Sequence, residues 1–153
     1  RAVIRGCVHR AGGREIDARA DEFFAVFVRA ADALQAAFEI QRGLRARAWP
    51  DGVSVKVRAG IHSGRPTLTD TGYVGLAVHT VARLCAAGHG GQILLSAAAR
   101  DALGRSRPAG VRLRALGSHR FHGLREPLAV VQVEGPDLPA RFAPLRTSAT
   151  SAP

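Results

Sequence analysis

Gly75, His79 and Arg83 recur every four residues within "GYVGLAVHTVARLCAAGHGGQILLS" (72–96), so on a helix they line one face. An arginine there is a fixed cation that can grip phosphate oxygens bidentately and stabilise charge developing on them. A histidine one turn earlier can hydrogen-bond a ribose or a phosphate. The glycines of "TDTGYVG" let backbone approach a ligand closely, and the unpaired N–H groups of a helix's first turn favour phosphate. Elsewhere, Asp21 offers a hard oxygen ligand for Mg²⁺, with Asp17 and Glu22 near it in sequence. A carboxylate for a metal and an arginine for phosphate are the minimum kit for chemistry on a nucleoside triphosphate. The competing reading makes His79 and Arg83 solvated residues of an amphipathic helix.

The elements that must position these residues follow from periodicity. Glu15 to Arg19 and Phe23 to Val28 predict a tight hairpin with Asp21 at its tip. Ala30 to Arg47 predicts an amphipathic helix with Leu34, Phe38, Gln41 and Leu44 inward and Ala37 and Ile40 widening the stripe. Apolar residues alternate from Val53 to Ile61, the pattern of a half-buried strand. "SGRPTLTDTG" is expected to be a loop. Val74 to Ala87 predicts the helix of the opening motif, with Val74, Val78, Val81 and Cys85 as its apolar stripe. "QILLS" reads as a short buried strand, and Ser96 as the cap of a helix over "AAARDALG". Val111 to Leu116, His119 to His122 and Ala129 to Glu134 predict closing antiparallel strands. Residues 1–136 are expected to form one α+β domain, helices packed on a mainly antiparallel sheet, and 137–153 a tail or linker.

Composition narrows the partners. The 153 residues, 46% hydrophobic, suit one modest core and hold no run of apolar residues fit to span a membrane. The formal charge of +10 invites nucleic acid. Yet the arginines are scattered and aromatic residues make up only 5%, so stacking platforms are sparse and no direct nucleic-acid binding is expected. Two cysteines match neither a disulfide framework nor a zinc spacing, which suits a reducing cytoplasm; Cys7 and Cys85 read as small buried residues.

Three ordered segments together resemble class III adenylate/guanylate cyclase catalytic domains, particularly the actinobacterial branch. "VKVRAGIHSGRPTLTDTGYVGLAVHTVARLCAAGHGGQILLS" resembles the family's central segment, "GGREIDARADEFFAVF" its metal-binding hairpin, and "LGSHRFHGLREPLAVVQVEGPDLPARFAPLRT" its closing strands. The resemblance implies a ferredoxin-like core and a head-to-tail homodimer with the site at the interface. There, ATP or GTP would close to cyclic AMP or cyclic GMP with loss of pyrophosphate. It implies two Mg²⁺ or Mn²⁺ ions per site. Asp21 matches the second metal aspartate, with Ala20 where a glycine usually precedes it. The first belongs to an opening strand expected to lie before Arg1. Arg83 matches the transition-state arginine, and His79 stands where an asparagine usually orients the ribose. Asp17 and Gly72 occupy the two base-reading positions, normally lysine and commonly aspartate. These departures keep a second expectation open, a non-catalytic module that dimerises or senses nucleotide. They also predict little turnover from these 153 residues alone.

Overall fold

The computed structural model describes residues 2–19, 21–52, 55–65, 67–69 and 72–147. It opens on a helix that the sequence pattern did not announce, α1 (Ala2–Arg10), which buries Cys7 and Val8. The hairpin follows: β1 (Arg14–Arg19) pairs antiparallel with β2 (Glu22–Val26). Arg5 grips Glu15 through two parallel hydrogen bonds of 2.6 and 3.0 Å, fastening α1 to β1.

Helix α2 (Ala30–Ala46) buries Leu34, Phe38, Gln41 and Leu44, the predicted stripe, together with Ala36 and Ala37. After a short 3₁₀ turn (Pro50–Gly52), residues 55–58 form no helix or strand, and β3 (Ala59–Ile61) is far shorter than the alternation suggests. Val53 and Ser54 lie outside the described residues. From 55 to 58 the apolar residues are half-buried and the polar ones exposed, as alternation requires. The backbone there is held by other partners: Val57 O accepts from Gln41 Nε2 at 2.8 Å and from Gly91 N at 2.7 Å. Alternation marked which side chains turn inward and said nothing about which groups take the backbone hydrogen bonds.

Two further expectations are corrected. The loop of 63–72 contains a short hairpin, β4 (Thr67–Thr69) with β5 (Gly72–Val74). Val74 is therefore a strand residue paired with Thr67, and helix α3 (Leu76–Ala87) begins two residues later. The two closing strands before residue 122 are one, β7 (Arg112–His119), interrupted by a bulge between Ala115 and Ser118 where Gly117 adopts φ +84°.

Strand β6 (Ile93–Ser96), helix α4 (Ala97–Leu103) and strand β8 (Leu128–Glu134) complete the order. Ser96 caps α4 as expected, its Oγ accepting from Ala99 N at 3.1 Å. The main sheet runs β3-β6-β8-β7, parallel only between β3 and β6. Strand β6 is buried on both faces. Ile93 and Leu95 join Leu34, Phe38, Leu103 and Val133 in one cluster, while Leu94 joins Leu84, Phe121 and Val130 in another. The fold is thus α+β, with α2 and α4 contributing to one cluster and α3 to the other. Residues 137–147 form no helix or strand but lie against both clusters through Leu138 and Leu145. Hydrogen bonds from Gln132 Nε2 to Ala140 O (2.9 Å) and from Arg146 N to Ala87 O (2.8 Å) hold them there.

Candidate functional site

Helix α3 carries the two residues with the strongest chemistry, and glycines set its position at both the strand and the turn. At its start Gly75 adopts φ 114°, a conformation that side-chain-bearing residues rarely enter, and its carbonyl accepts from His79 N at 3.1 Å. No side chain caps this end, so the first-turn N–H groups have no capping oxygen. Behind the helix lies Gly60 of β3, where an added Cβ would sit 2.9 Å from the backbone nitrogen of Cys85. Helix and strand approach that closely only because residue 60 has no side chain.

The buried line of α3 is Thr80, Leu84 and Ala87, not the predicted Val74, Val78, Val81 and Cys85. Leu84 reaches the cluster of Leu94, Phe121 and Val130, and this orients the helix. Val74 and Leu76, outside that line, remain 44% and 70% exposed, an apolar pair facing away from the core.

His79 and Arg83 are half-buried and flank the buried line on one side. The His79 ring rests on the turn between β7 and β8: a Cβ at Gly123 would fall 2.6 Å from His79 Nε2. Gly123 itself has φ +83°, and the turn is closed by Leu124 N donating to Phe121 O at 3.1 Å. His122 and Arg125 of this turn are exposed. Arg83 has no hydrogen-bond or ion-pair partner among the described residues, so its guanidinium donors remain available.

The hairpin holds the carboxylates. Asp21 is exposed at the tip. Asp17, in the base-reading position, is engaged by Arg19 Nε at 2.9 Å, both side chains lying on the same face of β1 just after a bulge between Glu15 and Asp17. Burial raises the Cys85 thiol pKa; Arg58 lowers it and the Glu22 carboxylate raises it further, so the start of β2 lies within electrostatic reach of Cys85. Cys85 lies about 200° around the helix from Arg83. His79 and Arg83 lie on the side of α3 away from Cys85. No hydrogen bond or ion pair joins them to the hairpin tip among the described residues.

Gly72 opens β5 opposite Thr69, and Asp70 lies outside the described residues. His62, at the end of the parallel strand, is a structural neighbour of the α4 cap: its Nδ1 lies 2.7 Å from Ser96 Oγ, and burial lowers its pKa. Among the described residues no three of His, Cys, Asp and Glu gather as metal ligands. The sequence reading missed Gly60 and Gly123. For Gly60 a signal existed, since a glycine inside an alternating strand marks a close backbone approach.

Comparison with known proteins places this architecture. No family model matches the sequence. An uncharacterized protein of Mycobacterium tuberculosis is 40% identical over 131 residues, 86% of this chain and 44% of that protein. A second from the same organism is 34% identical, over 82% of this chain and 50% of that one. The chain thus spans about half the length of the curated relatives it matches. Among solved structures, an adenylate cyclase from Trypanosoma brucei in its monomeric state superposes with TM-score 0.83 at 22% identity, over 97% of this chain and 82% of that one. An adenylate/guanylate cyclase/hydrolase from Silicibacter pomeroyi gives TM-score 0.75 at 29% identity, over 88% and 79%. The guanylate cyclase domain of a protein from Catenaria anguillulae, solved with GTP, gives 0.72 at 19%, over 86% and 78%. The fold is that of adenylate and guanylate cyclase domains.

Proposed function

We propose that this chain is a nucleotide cyclase-type domain that binds ATP or GTP between two head-to-tail copies. Each composite site takes the hairpin of one copy and the exposed face of α3 from the other. The observation that carries the reading is the disposition of α3. Arg83, half-buried and without a partner among the described residues, has guanidinium donors free for an acceptor outside its own chain. An unpartnered arginine on α3 can serve the hairpin of a second copy. The exposed Val74 and Leu76 at the start of α3 give such a copy apolar surface to cover.

In the reaction the ribose 3′-oxygen bonds to the α-phosphorus, the bridging bond from that phosphorus to the β-phosphate oxygen breaks, and pyrophosphate departs with the bridging oxygen. The 3′-hydroxyl proton is lost to solvent. Arg83 holds the α-phosphate oxygens as charge builds on them. His79, steadied against Gly123, orients the ribose. Gly72 and Gly75 keep the approach to α3 free of side chains, and Asp17 stands where the base would be read. The divalent ion that the resemblance implies demands several oxygen ligands. Of the described residues the hairpin tip offers Asp21 and Glu22, while Asp17 is already paired with Arg19 and no third ligand gathers beside them. These residues alone do not fit a metal centre, and no step is assigned to one.

That same shortage favours a second reading, a domain that keeps the cyclase fold for nucleotide sensing or pairing within a longer cytoplasmic signalling protein. The experiment is cyclic AMP and cyclic GMP formation from ATP and GTP with Mn²⁺, alongside calorimetric nucleotide binding. Little product from this chain, product from a longer form of the protein, and its loss in a folded Arg83→Ala variant support catalysis. Nucleotide affinity with no product from either form supports sensing. Unfolding by Arg83→Ala makes the arginine structural and overturns both.

A further inference from the structure

The far end of α2 builds a second, unrelated charged surface. An open cleft of about 450 Å³ lies between the end of α2, the 3₁₀ turn, residues 55–56 and Gly91. It contains Arg45, Arg47 and Lys56, the only lysine of the chain, and among the described residues lining it there is no carboxylate. It shares no residue with the nucleotide site proposed above.

Each of these side chains makes a contact that positions part of it. Arg45 Nη1 donates to the backbone carbonyl of Asp137, which leaves the rest of its fork for another acceptor. The Arg47 guanidinium lies over the Trp49 ring at 4.8 Å from its centre, and Trp49 Nε1 donates to Leu44 O at 3.2 Å, which fixes the indole that Arg47 rests on. The stem of Lys56 is packed against Gly90, where an added Cβ would come within 2.8 Å of Lys56 Cβ. Gln41 Nε2, at the cleft's inner edge, donates to Val57 O at 2.8 Å.

Three like charges around one open cleft repel each other, and a compact multiply charged anion compensates all three at once. Arginine's fork and lysine's point charge are the two usual ways to meet phosphate oxygens. We infer that this cleft is a binding site for a small polyphosphate, of which inorganic pyrophosphate and nucleoside diphosphates are the representative ligands. A single phosphate meets fewer of the three cations at once and binds more weakly. The indole beside Arg47 offers a surface on which an attached base can stack.

Trp49 is the only tryptophan in the chain, so its emission reports on this cleft alone. The experiment titrates the full chain with sodium pyrophosphate, and separately with ADP, without divalent metal and at ionic strength held constant with sodium chloride. A saturable change in emission is expected with both, with affinity falling at least tenfold in Lys56→Ala and in Arg45→Ala. Both side chains are exposed, so the variants are expected to fold; circular dichroism checks this, and Lys56→Gln serves as the milder second variant. Arg83→Ala leaves the change intact, which separates this site from the proposed nucleotide site. No saturable change, or an undiminished one in the folded Lys56 and Arg45 variants, overturns the inference.

Discussion

Gly60→Ala tests whether one missing methyl group sets the position of α3. The new Cβ would lie 2.9 Å from Cys85 N and 3.0 Å from both Cys85 Cα and Cβ. Ordinary contacts between such atoms lie near about 3.5 Å or beyond, so helix and strand must part by roughly half an ångström. Two of those three atoms are backbone and the third, Cβ, is fixed to it, so no rotamer change relieves them. Nor does the glycine hold an unusual backbone angle that would confuse the result, since its φ is outside the left-handed region. Overpacking of this kind costs about 1–3 kcal/mol. For a domain of this size that lowers the melting temperature by roughly 2–12 °C. Thermal unfolding followed by circular dichroism measures it. Cys85→Ala in the same background should not rescue, because the offending nitrogen, Cα and Cβ remain. A Gly60→Ala protein as stable as the parent, or one restored by Cys85→Ala, would refute the claim that strand β3 sets the position of α3 through this contact.

Three other outcomes follow from the same geometry. Gly123→Ala should lose about 1–2 kcal/mol through its left-handed backbone, and should also push the His79 ring off the turn, visible as a shift of that imidazole's proton resonances. Ser96→Ala removes the oxygen that caps α4 and faces His62, and should cost about 0.5–2 kcal/mol in denaturant unfolding. His62 has its pKa lowered by burial from the ordinary 6.5, so protonation favours the unfolded chain. Its contribution to stability is complete above pH 6.5 and is lost as pH falls through the depressed folded value; His62→Gln should flatten this part of the pH–stability curve.

Much of the fold was legible because local pattern and tertiary burial agree. Helix α2 shows the predicted stripe from Leu34 to Leu44 because a long amphipathic segment has one way to bury its apolar face. Ser96 was readable as a cap, and the 14–26 hairpin as a hairpin, for equally local reasons. Reading failed where distant partners decide. Alternation in 53–61 was correct about which side chains face inward, yet the hydrogen bonds of Val57 go to Gln41 and Gly91 rather than to a neighbouring strand. The inward face of α3 was misassigned because Val78, Val81 and Cys85 are as apolar as Thr80, Leu84 and Ala87. Only the position of Leu94 and Val130 selects between them. At the site, residue types announced His79 and Arg83. Of their supports, Gly60 stood inside an alternating stretch and was readable as a close approach, whereas Gly123 is defined by what stands opposite it in space, which an isolated glycine in a sequence does not reveal. Asp17 shows the same limit, since its ion pair with Arg19 depends on strand geometry following a bulge.

The shared site can be tested by mixing two damaged chains. With Mn²⁺ present, Asp21→Ala and Arg83→Ala are each expected to lose nucleotide binding, read by the fluorescence of a labelled ATP analogue. Random pairing of the two variants gives mixed dimers with one intact site of two, so about a quarter of the parental binding should return. Recovery at that level is the predicted result. No recovery from folded, pairing-competent variants, or full binding by either variant alone, would contradict a site built from the hairpin of one copy and the arginine of the other.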